Sequence, residues 1–197
     1  MTGASMKVTA AIAAVTFASL LVLSSCASGP RSDGPLHIPK PHGSSTAPLE
    51  VGELYTDALE ILINNGEHPA TITEVTLGGA DPQMELVEAL IAGEERAVNL
   101  VGDTGFPPSD WDLGPLTDAV GAVLLPSSEQ PTGSAGFTDY ELILGIRVTE
   151  PGLWRRDTVK VFYEAGGVEY VWESPAELIA CTKDYSEDGK TCPLEGE

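Results

Sequence analysis

The sequence predicts an all-β protein, an antiparallel β-sandwich, and three observations carry the prediction. Tyr140, Leu142, Leu144, Ile146 and Val148 alternate with Glu141, Ile143, Gly145, Arg147 and Thr149, the period of two that a strand shows when one face is buried. That strand opens a run of three strand-like segments within residues 137–172. Between residues 50 and 182, about seven to nine short apolar runs are separated by turn residues, with no long helical period, as sandwich sequences are.

The N-terminus precedes that domain. Lys7 is the lone early positive charge, residues 8–23 are apolar or small, and Leu23-Ser24-Ser25-Cys26 follows. A basic start, a short apolar run and a small-residue exit form a secretory signal rather than a core element. The Leu-Ser-Ser-Cys ending resembles the lipobox of bacterial lipoproteins. That resemblance implies removal of residues 1–25 and a diacylglycerol thioether on Cys26. The protein is then expected at the outer face of the cell membrane, with the lipid bilayer as a partner through its acyl anchor. Loss of Lys7 leaves nine Lys and Arg against 30 Asp and Glu, a formal net charge of −21. So acidic a surface excludes nucleic acid, and anionic lipid as a direct partner of the folded part.

Residues 26–49 are dense in Pro, Gly and Ser and read as a flexible tether, with His37 and His42 on it. Residues 50–182 form the expected domain. Leu59, Ile61 and Ile63 share one strand phase, with Glu60 and Asn64 on the other. Asn64-Asn65-Gly66 then turns the chain, with Asn65-Gly66 suited to positive φ. Ile72, Val75 and Leu77 break strict alternation, which predicts a bulge near Thr73 or Glu74. Residues 84–91 fit a short helix and a strand about equally. Residues 97–101, 113–116 and 119–125 offer short strands. The loop of residues 102–112 holds Phe106 and Trp111, as cover over the sandwich or, if exposed, as a ligand-binding pair. After Glu150-Pro151-Gly152, Val159, Val161 and Tyr163 point one way and Lys160 and Phe162 the other. Ala165-Gly166-Gly167 is a hairpin link. Val168, Tyr170 and Trp172 form the returning strand, and residues 177–181 a last strand or helical turn. Trp154 and Trp172 are expected in or across the sheets.

Few residues suggest chemistry. There is no G-x-S-x-G, H-E-x-x-H, P-loop or G-x-G-x-x-G pattern, and His68 at a turn is the one histidine outside the tether. Arg155 and Arg156 stand out against the acidic background. They either pair with acids such as Glu150 and Asp157 or face a carboxylate-bearing ligand. With Cys26 assigned to lipid, Cys181 and Cys192 remain, as a disulfide in an exported protein or as two free thiols. Residues 183–197 are an acidic tail in which Asp184, Ser186, Asp188 and Glu195 follow the spacing of an EF-hand calcium loop around Gly189. That loop lacks flanking helices and contains Pro193, so calcium is not expected as a cofactor.

The elements Ile61-x-Ile63-Asn64-Asn65-Gly66 and Pro69-Ala70-x-Ile72, the stretch from Tyr140 to Gly152, and Val161-x-Tyr163 through Cys181 resemble uncharacterised lipoproteins of Gram-positive actinobacteria. The asparagine–glycine turn followed by proline also resembles Ig-like domains of exported bacterial proteins. The resemblance implies an Ig-like sandwich and brings no activity with it. The expected role is a non-catalytic binding or accessory module whose partner is an envelope protein or a small ligand. Alternatives are a dedicated small-ligand or metal-binding protein, with a pocket under Phe106 and Trp111, or an envelope enzyme built on convergent carboxylates.

Overall fold

The structure, a computed structural model, describes residues 29–37, 43–97, 102–130 and 139–182, and of Leu59 the backbone alone. Among these residues every regular element is a strand: β1 (Leu36–His37), β2 (Ser44–Leu49), β3 (Leu54–Asn64), β4 (Ala70–Gly78), β5 (Met84–Ala92), β6 (Gly102–Thr104), β7 (Leu116–Asp118), β8 (Val123–Leu124), β9 (Tyr140–Val148), β10 (Leu153–Arg156), β11 (Thr158–Ala165), β12 (Val168–Ser174) and β13 (Glu177–Thr182). One sheet runs β1-β3-β9-β5-β7, with β6 added to β3. A second runs β12-β11-β4-β8, and a third β10-β13-β2. All pairings are antiparallel except β13 with β2. One buried cluster draws side chains from all three sheets, with Leu142, Leu144 and Ile146 from the first, Val159, Val161 and Tyr163 from the second, and Ala47, Leu49 and Leu178 from the third. That is a β-sandwich, and β9 lies at its centre.

The central strand is more enclosed than its alternation suggests. Tyr140, Leu142, Leu144, Ile146 and Val148 do face the main core, but Glu141 and Ile143 on the other face are also fully buried. The loops after β5 and β6 fold over that face, where Ala58, Leu90, Ala92, Leu113 and Ile143 form a second cluster with Phe106 and Leu116 against it. Gly145 makes room for this cover, since a Cβ there would sit 2.9 Å from the Phe106 ring. Phe106 is therefore cover over the sheet.

Bulges explain the strands whose periodicity misled. In β3, Asp57 lies opposite Leu144 and Glu60 opposite Leu142, so β3 carries one extra residue. The insertion reverses the phase downstream. Glu60, Leu62 and Asn64 are buried, while Ile61 and Ile63 are only half-buried, the reverse of the expected phase. In β5 the register slips between Leu86 and Glu88. Val87 is pushed outward, and Met84, Leu86, Ala89 and Ile91 come to lie opposite core-facing residues of β9. Residues 84–91 are thus strand, and their helix-like spacing is a bulged strand's. The bulge expected in β4 is present: Tyr163 pairs with Ile72 and Phe162 with Glu74, leaving Thr73 extra.

Turn chemistry follows the sequence closely at Gly166 and Gly167, whose φ values of 60° and 77° suit a two-residue hairpin with the strands' own twist. The Asn64–Gly66 turn works differently from expectation. Gly66 is not in the left-handed region. Its N–H donates to Asn64 Oδ1 at 2.9 Å, and a Cβ there would come within 2.8 Å of Pro35. Segments that composition marks as tether are built into the sheets: Leu36 is buried beside β3, and Ala47 and Leu49 are buried along β13. Residues 177–182 are strand, Trp172 is buried, and Trp154 packs half-buried against the core.

Candidate functional site

The first and second sheets end, on one side of the sandwich, in the very short strands β7 and β8. The link between them is fixed at both ends. Ala119 donates its N–H to the Ala89 carbonyl at 2.9 Å, and Gly121, at φ 91°, donates to the Ile72 carbonyl at 2.8 Å. Ala119 is buried between the sheets, and Val120 is turned out to solvent. A cavity of about 570 Å³ opens beside this link. Its walls are Ile91, Pro115, Ala122, Val123, Leu124 and Tyr140, and Glu94, Glu95 and Asp118 stand among them. A second depression of about 590 Å³, with Val75, Leu86, Val87, Glu88 and Ala89, shares Asp118 and Val120 with the first. Among the described residues no Lys, Arg or His lines either one. Val87, Val120 and Val123 are 44%, 59% and 50% exposed, so an apolar surface runs through both depressions.

The acidic side of the groove is held from behind. Arg96 is fully buried and donates from Nη1 to the carbonyls of Gly93 and Asp139, at 2.8 and 2.7 Å. It also pairs with the Asp139 carboxylate, and its Nε lies 3.4 Å from Glu141. This anchorage fixes the turn that carries Glu94 and Glu95. Tyr140 lies in the wall, where its hydroxyl accepts the Leu125 N–H at 3.0 Å. Burial pushes the Tyr140 phenol up, the Leu125 bond acts against this, and the negative charge of Glu94 adds to it.

A second polar group lies inside the sandwich. The β3 bulge puts Asp57 and Glu60 both on the core face, and Arg156, at the end of β10, reaches in to pair with Asp57. All three are buried, as is Ser174 at the end of β12. Burial raises Glu60 to about 7, with the Ser174 hydroxyl and Arg156 pulling it down and Asp57 pushing it further up. Convergent carboxylates with a perturbed acidity resemble an acid–base pair. Among the described residues this pair is shut off from solvent and lines none of the cavities described above, and its ionisation bears on the stability of the fold.

The residues singled out by sequence fall in different places. Arg155 is exposed and pairs with Asp157 at 3.1 Å and Glu177 at 2.7 Å. Glu150 instead offers its carbonyl to the Trp154 indole N–H at 2.8 Å. Arg156, a candidate ligand contact, is fully buried and unreachable. Phe106 lies against Gly145, and Trp111, 43% exposed, donates its indole N–H to Asp103 at 2.8 Å. The two do not line the groove. Cys181 is buried at the end of β13. Cys26, Cys192, His42 and the Asp184, Ser186, Asp188 and Glu195 loop lie outside the described residues. Among the described residues no group of three or more His, Cys, Asp and Glu is placed to hold a metal ion. The groove itself has no sequence signal beyond scattered valines, because it is assembled from four separate segments, Val75, residues 86–95, residues 115–124 and Tyr140. No protein family, no curated protein and no solved structure matches this chain.

Proposed function

We propose that this chain is a cell-envelope lipoprotein of the kind its Leu-Ser-Ser-Cys motif resembles, held at the outer face of the membrane by lipid on Cys26. Its sandwich serves as a non-catalytic binding module, needing no cofactor, and the groove beside Val120 is where it engages an envelope partner. The observation that carries this reading is the groove: exposed valines along two depressions that share Val120, at an edge where, among the described residues, both sheets stop. Surface apolar patches of this kind, rimmed by polar groups, mark interaction sites. The same volume falls in the range of small-ligand sites, which keeps a small apolar ligand as the second reading. Cys181, buried at the end of β13, is proposed to pair with Cys192 and so to hold the acidic tail to the last strand.

The test places a photoreactive side chain at position 120 or, as control, at exposed Val51, in the full-length protein in its own membrane. Adducts specific to position 120 and lost when Val123 is changed to Lys are expected. Identical adducts from both positions refute the groove as the site. Labelling with a fatty acid checks the anchor: Cys26→Ala abolishes the label, and a label that persists refutes lipidation there.

A further inference from the structure

We infer that the groove takes an extended, basic segment of a polypeptide partner, laid across the open edge of the sandwich. This rests on the binding-site reading above and adds the class of partner. Three independent features lead to it.

The first is shape. The two depressions share Asp118 and Val120, so the apolar floor is elongated and not a single pit. Its exposed valines come from the β5 bulge, the β7–β8 link and β8 itself. An extended segment presents side chains to one face every 6–7 Å or so, and can set apolar groups along such a floor.

The second is charge. Glu88, Glu94, Glu95 and Asp118 stand around the floor, and among the described residues no cationic side chain does. The whole chain adds to that field with a net charge of −20. An acidic or neutral segment would meet repulsion or unpaired carboxylates here, whereas Lys or Arg between the apolar positions would meet partners. Such complementarity sets specificity and association rate more than raw affinity.

The third is the backbone. β7 and β8 are three and two residues long, and each is the last strand of its sheet. Among the described residues each therefore has one edge without a strand neighbour, the feature through which extended peptides add to sheets. Short edge strands also limit self-pairing between copies, which the shared negative charge opposes further.

The test uses the full mature chain and three fluorescent nine-residue peptides, alternating Lys with Val, Lys with Ser, and Gln with Val, read by anisotropy. The Lys/Val peptide is expected to bind at least tenfold more tightly than either of the others. Val120→Lys, at an exposed position, weakens it at least tenfold, Glu94→Gln with Asp118→Asn at least threefold, and Val51→Lys less than twofold. Raising salt from about 50 to 500 mM weakens it at least tenfold. If the Gln/Val peptide binds equally and still responds to Val120→Lys, the basic class is overturned and the groove stands as the site. If the Lys/Ser peptide binds equally, or Val120→Lys has no effect, binding is diffuse attraction and the groove is overturned as well. A photoreactive group at position 120 that attaches within the same chain, to residues 131–138, overturns the partner in favour of an internal occupant.

Discussion

Glu60 gives the fold a pH dependence that a single substitution isolates. In the folded chain its carboxyl is raised from 4.5 to about 7, chiefly by burial. In the unfolded chain it returns to the ordinary value. Below pH 4.5 both states hold the proton and the fold keeps its full stability. Between about 4.5 and 7 only the folded state holds it, so stability falls as pH rises, and above about 7 the loss is complete. A difference near 2.5 units, at about 1.36 kcal/mol each, makes the loss about 3 kcal/mol, a large share of a typical domain's stability. Glu60→Gln keeps the shape of the protonated acid and cannot ionise. We expect it to match the parent near pH 4.5 and to exceed it by about 3 kcal/mol at pH 8. The assay is urea unfolding followed by tryptophan fluorescence, from pH 4 to 8, on the chain from Ala27 onward. The other acids titrate in both proteins, so the difference between the two curves reports Glu60. Parallel curves would refute the reasoning, because they would mean that water reaches Glu60 or that Arg156 compensates it fully.

Adjacent arginines should behave oppositely. Arg156→Ala leaves Asp57 buried without its guanidinium and costs about 3–5 kcal/mol, whereas Arg155→Ala removes exposed pairs worth at most about 1 kcal/mol; equal losses would contradict the placement of Arg156. Leu62→Ala should cost about 2–5 kcal/mol and Ile61→Ala clearly less, and denaturation midpoints in the opposite order would show that the β3 bulge is misplaced. Gly145→Ala drives a methyl group toward the Phe106 ring, at a cost of about 1–3 kcal/mol. Phe106→Leu in the same chain should recover part of that loss, and simple additivity of the two would break the proposed contact.

The sequence shows most where each strand keeps one phase. β11 and β12 alternate cleanly, their link is Gly-Gly, and Val159, Val161 and Tyr163 face inward as their spacing indicates. It shows least where a bulge resets the phase. One extra residue in β3 sends Leu62 inward and turns Ile61 and Ile63 partly outward, and one extra residue in β5 gives a strand the spacing of a helix. A bulge depends on the partner strand's register, which local hydrophobicity does not encode. The second face of β9 was hidden for a related reason. Ile143 and Glu141 are covered by loops far away in sequence, and only the pairing of Gly145 with Phe106 marks where the cover settles.

The same register logic separates the two polar sites. Asp57 and Glu60 would lie on opposite faces of an unbulged strand, three positions apart. The bulge turns both inward, and a cationic partner becomes necessary; Arg156 supplies it from the end of β10. That is why one residue of the Arg155-Arg156 pair leaves the surface and the other stays there to meet Asp157 and Glu177. On β5 the bulge has the opposite consequence, pushing an apolar residue, Val87, into solvent beside Val120. An exposed valine on a bulge lowers solubility and adds nothing to the core. Its exposure beside strands that, among the described residues, have no further strand neighbour is accounted for if that edge is covered in use, which the crosslinking from position 120 examines directly.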